Sequence, residues 1–495
     1  MTLLTIPSGN VATATAATGF EVANSCRFNK ADSAYLSKTF GTPTDQDKWT
    51  FSCWVKRTKL GTNQDIFSVP TGTSGGYFHT GLQWNSSNQL EANVNYTGSV
   101  VGKKLPNALF RDTISWYHLV TVWDSDNASA GNRIKLYVNG VDQTSFATDT
   151  QPTSGLASQI NQALAHRIGD GANGDLDGYL AEVVFVDGQA LTPTSFGEFD
   201  EDSPTIWKPI KISGLTFGNN GFYLDFQDSS ALGNDVSGNN NDFALSNLAA
   251  VHQCQDSPTN NFCILHQLQP YGSAVYPWYD AGTQFVGTQG NAWRIVTGSI
   301  AVTSGKYYYE VEINTSSSNN SYSIGWTSTN NMPASIWTTY LGDAVVGPAL
   351  GLAKDGQLNY STSSAANQAS TGYTSYSNGG DIVMCAIDLD NNYAYWGKNG
   401  TWMKSGDPTS GSTGTGGFAF DNAAGYDWYP AFGSSETASG STIHMAANFG
   451  NGTFGNVSGV PSAVASAGTN ASGFGVFEYN VPAGYGAICT KQMNE

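Results

Sequence analysis

Acidic side chains at short spacing are the first candidates for chemistry in this sequence. Glycoside hydrolysis needs two carboxylates that flank the scissile bond, and the nearest such run is Glu198-Phe-Asp-Glu-Asp202. Because the run lies between Gly197 and Pro204, we expect it in a loop with its acids in water. Glu310 and Glu312 share a strand face but sit in a predicted core pattern, where structural hydrogen bonding is expected. The carboxylates therefore predict no hydrolase.

Nucleophilic and nucleotide chemistry also lack their usual motifs. The six histidines are scattered, and no Gly-x-Ser-x-Gly elbow precedes a helix. A glycine-rich phosphate loop ending in Gly-Lys-Ser/Thr is missing as well. His118 lies inside an apolar run and is expected to be a half-buried packing residue. We therefore predict that the protein is not an enzyme.

One soft-ligand spacing leaves three states open. His252-x-Cys254 and Cys263-x-x-His266 bring two thiols and two imidazoles within 15 residues, which is compatible with a tetrahedral zinc site. A Cys254–Cys263 disulfide formed after release is the second state. Two unlinked thiols are the third, which we favour because Pro258 interrupts the turn that paired ligands normally flank.

An acidic loop is the better candidate for a hard cation. Calcium prefers clustered oxygen ligands near glycine turns, and the segment 169–178 is rich in both. The run Asn173-x-Asp175-x-Asp177-Gly178 resembles the start of an EF-hand loop, but the twelfth position counted from Asn173 is Val184 rather than Glu. A plain hairpin tip is the alternative and the one that composition favours. The calcium hypothesis rests on four residues: Asp170, Asn173, Asp175 and Asp177.

Aromatic residues suggest carbohydrate contacts. The chain has 13 Trp and 24 Tyr, and most lie in strand-like runs where they should form cores. Those in turn-rich stretches could instead stack on sugar rings at the surface. The candidates are Trp84, Trp337, Tyr340, Tyr373, Tyr376, Tyr426 and Trp428.

Length and composition set the frame that must position these residues. The 495 residues suffice for two or three domains. With 21 basic and 39 acidic residues the net charge is −18, so nucleic acid is not an expected partner. Only 12% of residues are charged and 57 are Gly, a composition typical of all-β proteins with tight turns.

Targeting signals are also missing from the sequence. No apolar run approaches the roughly 18 residues of a membrane helix, and residues 1–9 carry no basic region typical of an export signal. We therefore expect no membrane insertion. Six scattered cysteines fit synthesis in a reducing cytoplasm.

Period-two alternation predicts a first β-sandwich. In Arg133–Val138 the apolar residues alternate, and Asn139-Gly140 then favours a type I′ hairpin. Together with Phe51–Arg57, Trp116–Trp123 and Gly178–Asp187, this hairpin resembles the strands of a laminin-G-like (concanavalin A-like) jelly roll. Such domains often bind calcium at a loop rim, which supports the calcium hypothesis. We assign residues 1–205 to this domain and 206–289 to a connector with short strands.

A second β unit repeats the hairpin device. Tyr307, Tyr309, Val311 and Ile313 share one strand face, Ile382–Ile387 is apolar throughout, and Asn399-Gly400 is a second type I′ signal. These blocks, with Tyr322–Trp326, Trp396–Trp402, Tyr429–Phe432 and Ala447–Gly450, resemble a SPRY domain, whose binding surface is built from loops at one end. We place it at residues 290–455, followed by a tail at 456–495. The predicted fold class is all-β, with two antiparallel sandwiches in tandem.

The whole arrangement resembles that of tailed-phage virion proteins. The resemblance includes Gly221–Phe226, Asp256–Phe262 and the ending Pro482–Thr490, and it implies a structural or adhesive role in a virion assembled from protein made in the host cytoplasm. Expected partners are host-surface glycans or receptors and other virion proteins. We expect a homo-oligomer that docks through the connector and Phe477–Cys489. The alternatives are a capsid decoration protein without a host ligand and a polysaccharide depolymerase.

Overall fold

The computed structural model describes two compact units. One is built from described residues up to Asn261 and the other from Phe262 onward. The described ranges are 19–70, 80–96, 99–266, 278–279, 281–287, 290–315, 320–328, 340–342, 348–362, 368–376, 379–422, 425–436, 443–455, 462–465 and 467–494.

The first unit is a sandwich of two antiparallel sheets. Sheet I has the strand order β10-β9-β8-β3-β13-β1-β18, with β16 also paired to β13, and sheet II has the order β11-β7-β6-β5-β4-β12-β2-β17. A separate ribbon pairs β14 with β15. The strands are β1 (Ser25–Phe28), β2 (Tyr35–Thr39), β3 (Lys48–Arg57), β4 (Gln64–Ser68), β5 (Gly81–Trp84), β6 (Leu90–Tyr96), β7 (Ser99–Pro106), β8 (Tyr117–Asp124), β9 (Ile134–Val138), β10 (Val141–Asp142), β11 (Phe146–Thr150), β12 (Ala165–Ile168), β13 (Gly178–Asp187), β14 (Gly197–Phe199), β15 (Trp207–Pro209), β16 (Phe222–Leu224), β17 (Ala244–Ser246) and β18 (Gln253–Cys254).

The predicted hairpin after β9 is confirmed. Ile134, Leu136 and Val138 are buried while Lys135 and Tyr137 are half-buried, so the alternation places one face in the core. Asn139 and Gly140 have φ values of 49° and 76°, the two positive angles that a type I′ turn requires.

The predicted connector is not a separate unit: its residues 206–261 belong to the first sandwich, and its described residues from Phe262 onward belong to the second. Strands β16, β17 and β18 extend both sheets by pairing with β13, β2 and β1. The chain accordingly divides at 261/262, not at 205 and 289. The reason is physical: Phe222, Leu224 and Phe243 are apolar side chains that reach burial only by joining the first core.

The second unit is also a two-sheet sandwich. Sheet III has the order β19-β20-β32-β22-β27-β28-β29 with β30 paired to β28, sheet IV has the order β21-β31-β23-β24-β25-β26, and β33 pairs with β34. The strands are β19 (Trp278–Tyr279), β20 (Gln284–Gly287), β21 (Gly290–Thr297), β22 (Lys306–Thr315), β23 (Asn320–Ser328), β24 (Ala349–Ala353), β25 (Leu358–Ser361), β26 (Gln368–Ser370), β27 (Ile382–Asp388), β28 (Tyr393–Lys398), β29 (Thr401–Trp402), β30 (Phe418–Ala419), β31 (Trp428–Glu436), β32 (Ile443–Asn448), β33 (Thr453–Phe454) and β34 (Ser462–Ala463).

Helical structure in the described ranges is limited to single 3₁₀ turns, so the predicted all-β fold class is confirmed. None of these turns is long or apolar enough to cross a membrane. The turns are Lys30–Asp32, Ala130–Asn132, Pro193–Ser195, Ala250–His252, Met403–Ser405, Pro408–Thr413 and Gln492–Asn494.

The segment Phe477–Cys489 covers the second sandwich. The expectation that it offers an exposed docking surface is wrong, because Phe477, Tyr485 and Cys489 are at most 2% exposed. Their side chains pack on Tyr308, Met384 and other residues of sheet III that point away from the main core. Sheet III needs this cover because its strands are apolar on both faces.

Candidate functional site

The predicted aromatic contact residue of the first unit is a core residue. Trp84 has no exposed surface and packs against Phe110 and Tyr117, with the Arg57 guanidinium 4.8 Å from the centre of its ring. The surface prediction is therefore wrong for Trp84. Leu90 pairs with Trp84 in the ladder, so the turn-like sequence after Trp84 belongs to a tight hairpin between β5 and β6 rather than to a long loop.

Four predicted contact residues of the second unit are also buried. Tyr376 and Trp428 are fully buried, and Tyr373 and Tyr426 are 9% and 8% exposed. Tyr376 donates a hydrogen bond to the carbonyl of Leu352, and Trp428 Nε1 donates to Asn422 Oδ1 at 2.9 Å. The surface expectation is wrong for these four, because turn-rich stretches fold back and bury their aromatic rings.

The remaining two aromatic predictions have different outcomes. Tyr340 is half-buried, with its ring centre 5.7 Å from that of Trp293. Trp337 lies outside the described residues. The structure therefore brings no set of the seven predicted aromatics together at a described surface.

The predicted calcium ligands are engaged by protein groups. Asp170 pairs with Arg167, and Asn173 Nδ2 donates to Gln83 Oε1 at 3.1 Å. Asp175 Oδ2 accepts from Ser33 at 3.2 Å, and burial together with the neighbouring Asp170 raises the pKa of Asp175 to about 6. The backbone carbonyl of Asp177 accepts from Thr58. In the described part of the chain, no three His, Cys, Asp or Glu residues are grouped to hold a metal ion, so the structure gives calcium no support.

The soft-ligand spacing has no common site either. All six cysteines are free and buried, so the structure shows Cys254 and Cys263 as unlinked thiols. Their sulfurs lie 3.7 Å and 3.6 Å from the carbonyl oxygens of His252 and Ile264. Burial, rather than metal binding, accounts for their surroundings.

Two acids of the predicted acidic loop, Glu198 and Asp200, contact the same lysine. Lys208 Nζ lies 3.2 Å from Asp200 Oδ2 and 3.5 Å from Glu198 Oε1. Burial by itself would raise the pKa of Asp200, but the hydrogen bond from Lys208, together with the backbone N–H groups of Ser203 and Asp202, lowers it below its ordinary value. Both carboxylates lie within salt-bridge distance of the same lysine, whereas a glycosidase needs two carboxyl groups that flank the scissile bond.

Glu310 binds the segment that covers sheet III. Its two carboxylate oxygens accept the backbone N–H groups of Glu478 and Tyr479 at 2.8 Å each, and Tyr308 Oη and Asn448 Nδ2 also donate to it. Burial raises the pKa of Glu310 to about 7, although these four donors favour the charged form. The residue is fully buried, which gives it a structural role.

Ser52 and His118 resemble a nucleophile and its base but cannot act as one. His118 is buried, not half-buried as predicted. Trp207 Nε1 donates to its Nδ1 at 2.9 Å, so the ring proton sits on Nε2 and points at Ser52 Oγ, 2.9 Å away. Burial lowers the pKa of His118 to about 3. The imidazole thus has no free lone pair with which to accept the serine proton.

One groove in the first unit combines charges, an aromatic ring and open volume. It lies where β9, near the edge of sheet I, faces β7 and β11 at the edge of sheet II, and its volume is about 190 Å³. The buried side chains of Ile134 and Leu136 form part of its lining. We call this feature the edge groove.

Lys104 is the main polar residue of the edge groove. Its side chain is only 4% exposed, and its Nζ lies 2.7 Å from Asp149 Oδ1 and 4.3 Å from the centre of the Phe146 ring. Gln143 and Thr144 also line the groove. Such a mixture of apolar surface with a few convergent polar groups is typical of ligand sites.

Sequence reasoning missed this groove, although one signal was present. Gly102, Lys104 and Pro106 are the buried positions of β7, so the period of two places Lys104 on the inner face. Two consecutive residues in a strand point to opposite faces of the sheet, so one lysine of the Lys103-Lys104 pair lies on the inner face once β7 forms part of a sandwich.

The comparisons with known families agree with this architecture. Residues 29–195 match the family described as the concanavalin A-like lectin/glucanases superfamily, of the laminin-G type. Residues 306–448 match the SPRY domain family. The chain thus carries a concanavalin A-like domain followed by a SPRY domain, which confirms both predicted domain types. No curated protein matches the chain.

Several solved structures are similar to parts of the chain. They are the SPRY domain of human HERC1 (17% identity, 33% of this chain and 87% of that one, TM-score 0.25), a putative carbohydrate binding protein from Bacteroides ovatus (16%, 46% and 58%, 0.31) and the native heptameric SAP-like pentraxin from Limulus polyphemus (17%, 35% and 80%, 0.25). At these identities the likeness concerns the fold alone.

Proposed function

We propose that the protein is a non-enzymatic binding protein that recognises a carbohydrate through its first sandwich. The observation that carries the proposal is the edge groove, where an ammonium, a carboxylate and an aromatic ring converge on open volume. A superfamily of lectins and glucanases matches this sandwich, and both activities require contact with sugars.

The state of the acidic residues favours binding over hydrolysis. Glu198 and Asp200 share Lys208, and Glu310 is buried under the C-terminal segment. The edge groove offers one carboxylate, Asp149, whereas glycoside hydrolysis needs two that flank the bond. A depolymerase is therefore the weaker alternative.

We further propose that the protein is a structural and adhesive part of a tailed-phage virion. The order of its laminin-G-like and SPRY-like domains and its Pro482–Thr490 ending resemble such proteins. A single sugar site binds weakly, and several linked copies raise avidity by roughly 10² to 10⁴, so a homo-oligomer on the particle suits the role. The partners are then host-surface glycans and other virion proteins.

Incubation of the full chain with host-derived polysaccharides tests the first proposal. We expect the protein to sediment with the polysaccharide while the chain length of the polymer stays constant. Shortening of the polymer that disappears in Glu198→Gln or Asp200→Asn would show an enzyme instead. Immunogold labelling of particles, with light scattering of the purified protein, tests the virion role; a protein found only on the capsid lattice would support decoration.

A further inference from the structure

The charges around the edge groove restrict the sugars that it can accept. Its Lys104–Asp149 pair is balanced, and so is the neighbouring pair of Lys135 Nζ and Asp142 Oδ2, 2.9 Å apart. The chain as a whole carries a net charge of −18. Both lysines of the groove lining, Lys104 and Lys135, are thus already paired with a carboxylate, so a neutral ligand fits better than a carboxylate or a sulfate.

Volume limits the ligand to one ring. The groove measures about 190 Å³, whereas an engineered protein cavity of about 150 Å³ holds one benzene molecule. A single six-membered sugar ring matches this space, and a second ring would have to lie outside. The groove therefore suits a terminal or side-branch residue of a glycan.

The buried ammonium of Lys104 can donate hydrogen bonds to further acceptors. An ammonium has three donors, and among the described residues Asp149 is the acceptor in contact with Lys104 Nζ. With its side chain 4% exposed, Lys104 meets solvent chiefly through the groove, where a ligand hydroxyl can replace water. An unsatisfied donor in such a place costs free energy, which a ligand hydroxyl that accepts from it would recover.

Asp149 supplies the complementary acceptor. Its Oδ1 is used by Lys104 and by Gln151 Nε2 at 2.7 Å, and no described residue donates to Oδ2. The side chain remains 41% exposed. Two adjacent hydroxyls of one ring can therefore bind together, one accepting from Lys104 and its neighbour donating to Asp149, while C–H groups pack on the half-buried Phe146.

We propose that the edge groove binds one neutral pyranose ring through a pair of adjacent hydroxyls held by Lys104 and Asp149. This inference rests on the proposed carbohydrate-binding function and specifies its site and ligand class. Charge, volume and the donor and acceptor pattern each point to the same class of sugar.

Saturation-transfer NMR and calorimetry with the full chain test the inference. The probes are glucose, galactose, mannose and N-acetylglucosamine, with glucuronic acid as the charged arm. We expect at least one neutral sugar to bind, Asp149→Asn to weaken it about tenfold or more because a charged hydrogen bond is lost, and glucuronic acid to bind more weakly.

A matched control uses the neighbouring lysine of the same strand, β7. Lys103 on β7 is paired with Glu91 on β6 at 2.9 Å, outside the groove lining. Glu91→Gln makes the same chemical change as Asp149→Asn and should leave sugar binding unchanged. Protection of residues 143–149 from hydrogen exchange by the sugar gives a readout on the unmutated chain, should Asp149→Asn fold poorly.

The outcomes separate the inference from the proposed function. Equal binding by wild type and Asp149→Asn, without protection of 143–149, overturns the site while the function stands. Preference for glucuronic acid overturns the ligand class. Failure of all sugars and of host polysaccharide overturns both proposals and leaves Lys104 as an inward charge that guards a sheet edge.

Discussion

The two sandwiches solve one structural problem with the same device. In each, an Asn-Gly turn has an Asn side chain that accepts a backbone N–H from a neighbouring strand, His118 to Asn139 and Ile382 to Asn399, both at 2.8 Å. In each, the turn glycine lies under an aromatic ring, Trp207 in the first unit and Tyr479 in the second. Trp207 lies in β15 and donates to His118 of sheet I, and Tyr479 lies in the segment Phe477–Cys489 that covers sheet III.

The units differ in the buried carboxyl group that fixes a later segment of the chain to a sheet. In the first, Lys56 and Asp256 form an ion pair of 2.7 Å with no exposed side-chain surface, and Trp116 Nε1 donates to the same aspartate. In the second, Glu310 stands without a cation and relies on neutral donors. The comparison shows that one architecture tolerates either a buried ion pair or a buried carboxyl group without a cation, with different sensitivity to mutation and pH.

The largest expected effect comes from breaking the ion pair. Asp256→Ala leaves the Lys56 ammonium buried without its counter-charge, and we expect the first unit to lose about 3–5 kcal/mol of unfolding free energy. Hydrogen-exchange mass spectrometry in urea reads each unit from its own peptides. Asp142→Asn, which removes the exposed partner of Lys135, is the control and should cost less than about 1 kcal/mol. Similar losses in both variants would contradict the role given to Asp256.

Glu310 predicts a pH dependence of the second unit. Its pKa is raised to about 7 in the folded state, so the folded protein keeps a proton that the unfolded chain releases near its ordinary pKa of about 4.3. The raised pKa therefore stabilises the second unit at low pH. As the pH rises to about 7, the free energy of unfolding of this unit falls by about 2–3 kcal/mol. In Glu310→Gln this slope should vanish from the second unit.

Glu182 supplies the matched variant in the first unit. Burial raises its pKa to about 7 as well, and its hydrogen-bond donor is Tyr223 Oη. Glu182→Gln should remove the pH dependence of unfolding free energy from the first unit alone. Unlike Glu310→Gln, it should not place a side-chain NH₂ group against two backbone N–H donors. A slope that survives each variant in its own unit would contradict both assignments.

The hairpin glycines give a smaller, graded effect. A Cβ at Gly140 would lie 2.3 Å from the buried Trp207 ring, whereas one at Gly400 would lie 3.0 Å from the less buried Tyr479 ring. Alanine at either turn pays about 1–2 kcal/mol for its positive φ. Gly140→Ala should cost about 1–3 kcal/mol more because of overpacking, as measured by urea denaturation. Equal costs would show that Trp207 moves aside.

Calcium should give the smallest effect. Because Asp170 pairs with Arg167 and Asn173 with Gln83, we expect the melting temperatures in calcium and in chelator to agree within the few degrees that about 1 kcal/mol represents. A larger rise in calcium, abolished by Asp175→Asn, would give the first unit a metal-dependent stability that the second lacks.

Local patterns predicted the fold far better than the site. The alternation of β9, the doubly buried Ile382–Ile387 run and both Asn-Gly turns depend on neighbouring residues, and the structure confirms them. The aromatic predictions depended on exposure, which is decided by segments distant in sequence: Trp428 lies in a strand, and Tyr376 reaches the core. The edge groove joins residues from three strands of two sheets, a juxtaposition that no local spacing encodes.

The position of the segment Phe477–Cys489 at the end of the chain has a consequence for biosynthesis. Sheet III exposes Tyr308 and Met384 until Phe477–Cys489 has left the ribosome, because the groups that bury them come about 100–170 residues later. A nascent chain folds from its N-terminal end, so the first sandwich can close while the second still shows an apolar sheet. During that interval the second unit is the part of the polypeptide most in need of a chaperone.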